Sequence, residues 1–326
     1  MALFPGVKLH VVTGKGGTGK TTVAAALALS LAQAGRQVLL TEAEGRQGIA
    51  QLFDTAPLPY EERRVAAGAG GGDVYALAID PEAALIEYLE KFYNLRRAGS
   101  ALKRIGAIDF ATTIAPGLRD VLLTGKVMEA ATRARRGGGR IYDAVVLDAP
   151  PTGRIARFLN VNAEVAGLAR MGPIRQQADS VMNLLRSRQT AVHLVTLLEE
   201  MPVQETVDGV AELEAVGLPV GAVLVNMVRA PLLPADQLDA AAAGRLDTAE
   251  IATGLKRSGI DATDRLVSAL AAEAAEHAGR VLLEAREREV LADLGKPRME
   301  LPLLADGADT AGLYELAGRL TEQGFE

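Results

Sequence analysis

The chain has 326 residues, is 49% apolar and 23% charged, and carries a formal charge of −6. That composition supports a packed core and offers no clustered Lys/Arg for sequence-independent nucleic-acid binding, so no nucleic-acid partner is expected. The absence of cysteine excludes disulfides, cysteine-ligated zinc, iron–sulfur clusters and thiol catalysis.

The three histidines, His10, His193 and His277, show no metal-ligand spacing along the sequence. The N-terminus has no charged n-region or cleavage site, and no apolar run reaches the ~18 residues of a membrane span. A cytoplasmic location is expected, peripheral to a membrane at most through a partner. Short β-branched runs occur at residues 8–13, 37–41, 74–79, 141–147, 191–197, 221–225 and 299–303. Several are apolar on both faces, as parallel strands covered by helices are. Their alternation with helical stretches predicts one α/β domain over residues 1–326. Its sheet would be doubly wound, mostly parallel and seven- to eight-stranded. Three gaps exceed a simple crossover and predict helical insertions at about 80–140, 155–190 and 228–297. Within them, residues 160–188 carry Leu168, Met171, Val181, Met182 and Leu185. Residues 261–295 read as a long Ala-rich helix. The glycine clusters at 67–73 and 137–139 read as surface loops, and Arg133, Arg135 and Arg136 as a solvated helix end.

The first strand runs directly into Gly14-Lys15-Gly16-Gly17-Thr18-Gly19-Lys20-Thr21-Thr22 and then an Ala-rich helix. This is a phosphate-binding loop in its strand–loop–helix context. Its backbone N–H groups and the helix N-terminus would cradle a polyphosphate. Lys20 would reach the β/γ-phosphates, Thr21 would bind Mg²⁺, and Thr22 would touch the α-phosphate. Carboxylates follow the second strand (Thr41-Glu42-Ala43-Glu44), where one could orient water or support Mg²⁺. The apolar run ending in Asp148 has the form of a Walker B strand, placing Asp148 in the Mg²⁺ shell. Pro151, Thr152 and Gly153 would form a mobile loop sensing the γ-phosphate.

The second lysine, Lys15, makes the loop resemble the deviant Walker A of the family that includes MinD, ParA, nitrogenase iron protein and the ArsA-type ATPases. The resemblance implies that Lys15 crosses a dimer interface to the partner's nucleotide. The stretch 148–159 (DAPPTGRIARFL) resembles the switch II of the ArsA and guided-entry (tail-anchored protein targeting) ATPases. Ala115-Pro116-Gly117 with Asp120, the runs AIDPEAALIEYL and LLEEMPVQET, Val225-Asn226 and Leu301-Pro302-Leu303-Leu304 also resemble segments of that family, in the same order. The resemblance implies that Asn226 recognises adenine and Pro302 closes the base pocket. It further implies a second ATPase subunit, identical or paralogous, and a client or membrane-protein partner. Ungapped alignment of switch I puts Glu44 at the family's water-orienting Asp, Gly45 at its Pro and Gln47 at its His. The switch II His is Arg154. Without cysteine there is no zinc staple and no thiol-bound metalloid. The reading is therefore a slow Mg-ATP-dependent ATPase switch. Its alternatives are a subunit energising a transporter, or a catalytically weak partner of a paralogue.

Overall fold

A computed structural model describes residues 3–93, 117–135, 137–168, 173–305 and 307–325. The first unit is β1 (Leu9–Gly14), α1 (Lys20–Gln33) and β2 (Val38–Glu42), followed by α2 (Gly48–Leu52), β3 (Arg63–Ala67) and β4 (Asp73–Ala78). Next come α3 (Pro81–Tyr93), α4 (Leu118–Thr132), β5 (Ala144–Asp148), α5 (Thr152–Leu168), α6 (Pro173–Leu185) and β6 (Thr190–Thr196). The chain continues through α7 (Glu200–Ala215), β7 (Val220–Val228), α8 (Ala235–Ala242), α9 (Thr248–Arg257), α10 (Asp264–Ala292), β8 (Arg298–Pro302) and α11 (Thr310–Glu322).

The strands form one eight-stranded sheet in the order β3-β4-β2-β5-β1-β6-β7-β8. All neighbours run parallel except β3, which pairs antiparallel with β4. Alternate strand residues feed two apolar layers. Val12, Leu40 and Val146 pack with α1 and α11 on one face. Val11, Leu39 and Leu147 pack with α4, α5 and α6 on the other. Because the β1–α1–β2 crossover passes over β5, the carboxyl ends of β1, β5 and β2 lie side by side. That is where a doubly wound sheet opens a ligand crevice.

Several local readings change in three dimensions. Strand β3 (RRVAA) shows no period-2 alternation and was not expected. It is an edge strand with Arg63 and Arg64 exposed, charges that discourage pairing with another sheet. The glycine cluster is the β3–β4 turn, pressed onto the C-terminus of α1. A Cβ at Gly70 would collide with the Gln33 carbonyl, so a side chain has no room there. The stretch 160–188 is two helices, because Gly172-Pro173 favours a helix start at Pro173 over continuation. Val181, Met182 and Leu185 are buried against the sheet, so they belong to the core. Met171 lies outside the described residues. The helical reading of 261–295 matches α10, and Thr263 caps its N-terminus by accepting from the Leu266 N–H at 3.3 Å.

Arg133 is not a solvated helix end. It pairs with Glu62, lies 3.4 Å from Glu129, and stacks over Tyr142, whose hydroxyl donates to Glu62 at 2.6 Å. Nearby, Tyr60 and Lys126 both bond Glu87, at 2.6 Å and 2.8 Å. This string of charges ties α3 and α4 to the loop before β3. Arg136 lies outside the described residues.

Two of the three histidines meet across 183 residues. His10 Nδ1 and His193 Nε2 are 3.1 Å apart, with the rings stacked beside Phe4 and Phe325. The Ala222 N–H donates to His193 Nδ1 at 3.1 Å, so His193 carries its proton on Nε2 and donates to His10. Burial pushes the His193 pKa down to about 3. Burial, with the His193 charge adding, holds His10 well below the usual imidazole range. A base depressed in the folded state contributes stability above its unfolded pKa of ~6.5, and that stability is lost as pH falls toward the folded value. The His193 ring should therefore cost about 2 kcal/mol of stability between pH 7 and pH 5. Denaturant titrations at both pH values should show wild type losing about 2 kcal/mol more than His193→Phe. Equal losses would mean that His193 is charged in the native protein.

Candidate functional site

The phosphate loop links β1 to α1 at the crevice. Gly19 has φ +82°, and a Cβ there would collide with Asn226 Nδ2, so only glycine allows the turn and the contact together. The Asn226 amide donates to the Thr18 carbonyl at 2.9 Å, and the Thr18 hydroxyl donates to the Lys15 carbonyl at 2.9 Å. The loop is thus stitched internally and to β7. The Thr13 hydroxyl donates to the Pro150 carbonyl at 2.7 Å, which anchors the loop's root to the segment after β5. Gly14, Gly16 and Gly17 complete the turn, and Lys20, Thr21 and Thr22 form the first turn of α1. Lys20 is half-buried, and its charge acts on Asp148.

Asp148 is 6% exposed at the end of β5, and its Oδ2 accepts from the Thr21 hydroxyl at 2.6 Å. Its Oδ1 is buried without a hydrogen-bond partner. Burial pushes the Asp148 pKa up to about 6. The Thr21 bond and Lys20 oppose the shift, while Glu42 and Glu44 add to it. Beside it in register, β2 ends in Glu42, 2% exposed. Glu42 Oε1 accepts from the Gly48 N–H at 3.3 Å, and its Oε2 is also buried and unpartnered. Two buried carboxylate oxygens without donors, next to a hydroxyl, suit a hard divalent cation with oxygen ligands. On this test the residues fit Mg²⁺.

Glu44 lies further along the loop, partly exposed, with Arg46 at 3.6 Å. Gln47 brackets Leu58, accepting from its N–H at 2.7 Å and donating to its carbonyl at 3.1 Å. Lys15 points across the loop to Glu205 of α7, Nζ to Oε1 at 2.8 Å. The other oxygen of Glu205 accepts from the Thr152 hydroxyl at 3.3 Å. One carboxylate therefore joins the second lysine of the loop to Thr152, between Pro151 and Gly153. Sequence reading included Glu205 only inside a longer matching segment, and it named Glu42 without choosing it. Each acquires meaning from a neighbour on a distant strand or helix.

Asn226 lies two residues before the end of β7, and Pro302 ends the neighbouring strand β8. A bulge between Val225 and Val228 re-aims this part of β7, and Val228 pairs with Pro302. Within the bulge Met227 holds φ +56°, a left-handed conformation uncommon for a non-glycine residue. Just beyond, Arg229 lies 3.3 Å from Glu284, which is buried in α10 and also 3.7 Å from Arg288. Asp120 sits half-buried in the first turn of α4, and burial raises its pKa. Ala115 and Pro116, matched alongside it, lie outside the described residues. Among the described residues no helix is long and apolar enough to cross a membrane.

The family described as anion-transporting ATPase matches residues 7–187. The chain is 55% identical over 320 residues to "ATPase BagA" of Mycobacterium tuberculosis, covering 98% of this chain and 94% of that protein. It is 29% identical over 197 residues to "ATPase GET3" of Kluyveromyces lactis, covering 58% and 55%. It is 26% identical over 246 residues to the "Arsenical pump-driving ATPase" of Escherichia coli, covering 66% and 38%. The strand–loop–helix phosphate cradle, the buried aspartate beside its threonine and these matches lead to one conclusion: the chain belongs to the anion-transporting ATPase family and is an ATPase.

Proposed function

We propose that the protein is a Mg-ATP-dependent switch whose hydrolysis step is completed by a second ATPase subunit, identical or paralogous. The observation that carries the reading is the Thr21–Asp148 bond at 2.6 Å, formed where the N-terminus of α1 meets the carboxyl end of β5. The N–H groups of Gly14, Gly16, Gly17, Thr18 and Gly19 hold the phosphates, aided by the positive end of α1. Lys20 binds the β/γ-phosphates and Thr22 the α-phosphate. Thr21 and Asp148 would hold Mg²⁺, which when bound offsets charge on the phosphate oxygens. Asn226 and Pro302 bound the adenine. Glu44 orients the attacking water, and Pro151, Thr152 and Gly153 respond to the γ-phosphate.

Lys15 supplies the charge that the partner's nucleotide needs as its terminal phosphate is transferred. To do so it must leave Glu205. Their pair is about one-third exposed on each side, so it is weak enough to exchange. Its release would leave Glu205 with the Thr152 hydroxyl, so lysine transfer and switch II are coupled through one carboxylate. The product of that event is a change of subunit geometry handed to a client or membrane-protein partner. Arsenite held by thiols is not the cargo of a chain without cysteine.

Three outcomes test this. Lys20→Ala should weaken ATP binding by on the order of 10- to 100-fold in calorimetry, because a charge-assisted contact to phosphate is lost. Unchanged affinity would sink the ATP-site assignment. Lys15→Ala should bind ATP normally yet lose on the order of a thousandfold in turnover, whereas Glu205→Gln, which unties Lys15 and keeps an acceptor for the Thr152 hydroxyl, should raise basal turnover about two- to fivefold. A protein that is fully active as a monomer at nanomolar concentration rules out action in trans. Finally, Glu44→Gln should cut turnover by at least about a hundredfold while Glu44→Asp retains it. If Glu44→Gln hydrolyses ATP at the wild-type rate, the water is positioned by another group.

A further inference from the structure

We infer that Glu42 is the second carboxylate of the divalent-cation site, facing the cation from β2 as Asp148 faces it from β5. This deepens the ATP-site reading above and rests on it.

The geometry comes from the sheet. Strands β2 and β5 are parallel neighbours, and their terminal residues Glu42 and Asp148 are register partners. Register partners in parallel strands direct their side chains to the same face. Here both reach the face that carries α1, where the Thr21 hydroxyl bonds Asp148. Gly48, whose N–H donates to Glu42 Oε1, packs against the same threonine: a Cβ on Gly48 would stand 3.2 Å from Thr21 Cγ2. Glu42, Gly48, Thr21 and Asp148 therefore enclose one small polar space.

Each carboxylate has spent one oxygen on a protein donor and left the other, Glu42 Oε2 and Asp148 Oδ1, buried and unpartnered. A buried acceptor without a donor is unfavourable, and two such anions side by side are more so. No lysine or arginine forms an ion pair with either carboxylate among the described residues. Mg²⁺ takes one or two carboxylates together with phosphate oxygens, and that is the set these residues offer to a bound nucleotide. Glu44, two residues on, is partly exposed and already accompanied by Arg46, so it lacks both the burial and the vacant acceptor.

Glu42→Gln tests the assignment in the full-length protein. The glutamine can keep the acceptor for the Gly48 N–H and present an amide donor to Asp148, so the variant should fold. Its melting temperature without ligand should equal or exceed that of wild type, because a like-charge contact is removed. The measurement is ADP affinity by calorimetry in excess Mg²⁺ and again in EDTA. Wild type should bind ADP at least about tenfold more tightly with Mg²⁺. Glu42→Gln should lose most of that enhancement while binding ADP in EDTA as well as wild type or better. Glu44→Gln should retain the enhancement. Direct Mn²⁺ titration of the ADP complexes by electron paramagnetic resonance should show about tenfold weaker ion binding for Glu42→Gln alone. Full Mg²⁺ enhancement in Glu42→Gln, or its loss in Glu44→Gln instead, overturns the assignment. If wild type binds no ADP under either condition, it is the underlying ATP-site reading that fails.

Discussion

Two carboxylates buried in register at the ends of neighbouring strands are the constraint around which the rest of the molecule is arranged. Glu42 and Asp148 repel each other in a region that water barely reaches. The fold offsets this with fixed partial charges: the N-terminus of α1, the Thr21 hydroxyl and the Gly48 N–H all point toward the pair. Lys20 adds a full charge nearby. The site is thus left short of positive charge while being supplied with donors, which is the balance the proposed binding of a cation together with a polyphosphate requires.

From that centre, polar contacts lead outward by three routes. Switch II is held through Thr152 and Glu205 to Lys15, switch I through Gln47 to Leu58, and β7 through Arg229 to Glu284 in α10. They differ in strength for a physical reason. Lys15 and Glu205 stand partly in water, where an ion pair is screened and easily exchanged. Glu284 is buried between two arginines, so separating it from either would strand a charge in the interior. The first contact suits a moving part, and the last suits a rigid joint between the sheet and α10.

The part of the site that could be read from sequence is the part that is contiguous in sequence. Residues 14–22 carry their own geometry because a phosphate loop is built from successive backbone groups. Asp148 was legible because an apolar run announced its strand. Glu42 was visible as a strand-end carboxylate, but its special standing depends on which strand lies next to β2, and sheet order is not written locally. The ungapped comparison concerned the water-orienting position, where it put Glu44, and gave Glu42 no role. The same limit hid the His10–His193 pair, formed between strands 183 residues apart. It also hid β3, whose RRVAA sequence has no alternation because an edge strand needs none. The length of α10, in contrast, was plain from its Ala-rich composition.

Helix α1 is gripped at both ends. Its N-terminus opens at the phosphate loop, and its C-terminus is walled by the glycine turn between β3 and β4, which comes too close at Gly70 for any side chain. Every residue from Val23 to Ala32 is buried, so no solvent-facing side would let it roll. Such a helix behaves as an anvil: it neither slides nor rotates when the terminal phosphate is cleaved. Movement must then fall to the flanking loops, and the amides of α1 should be among the last in the chain to exchange with deuterium.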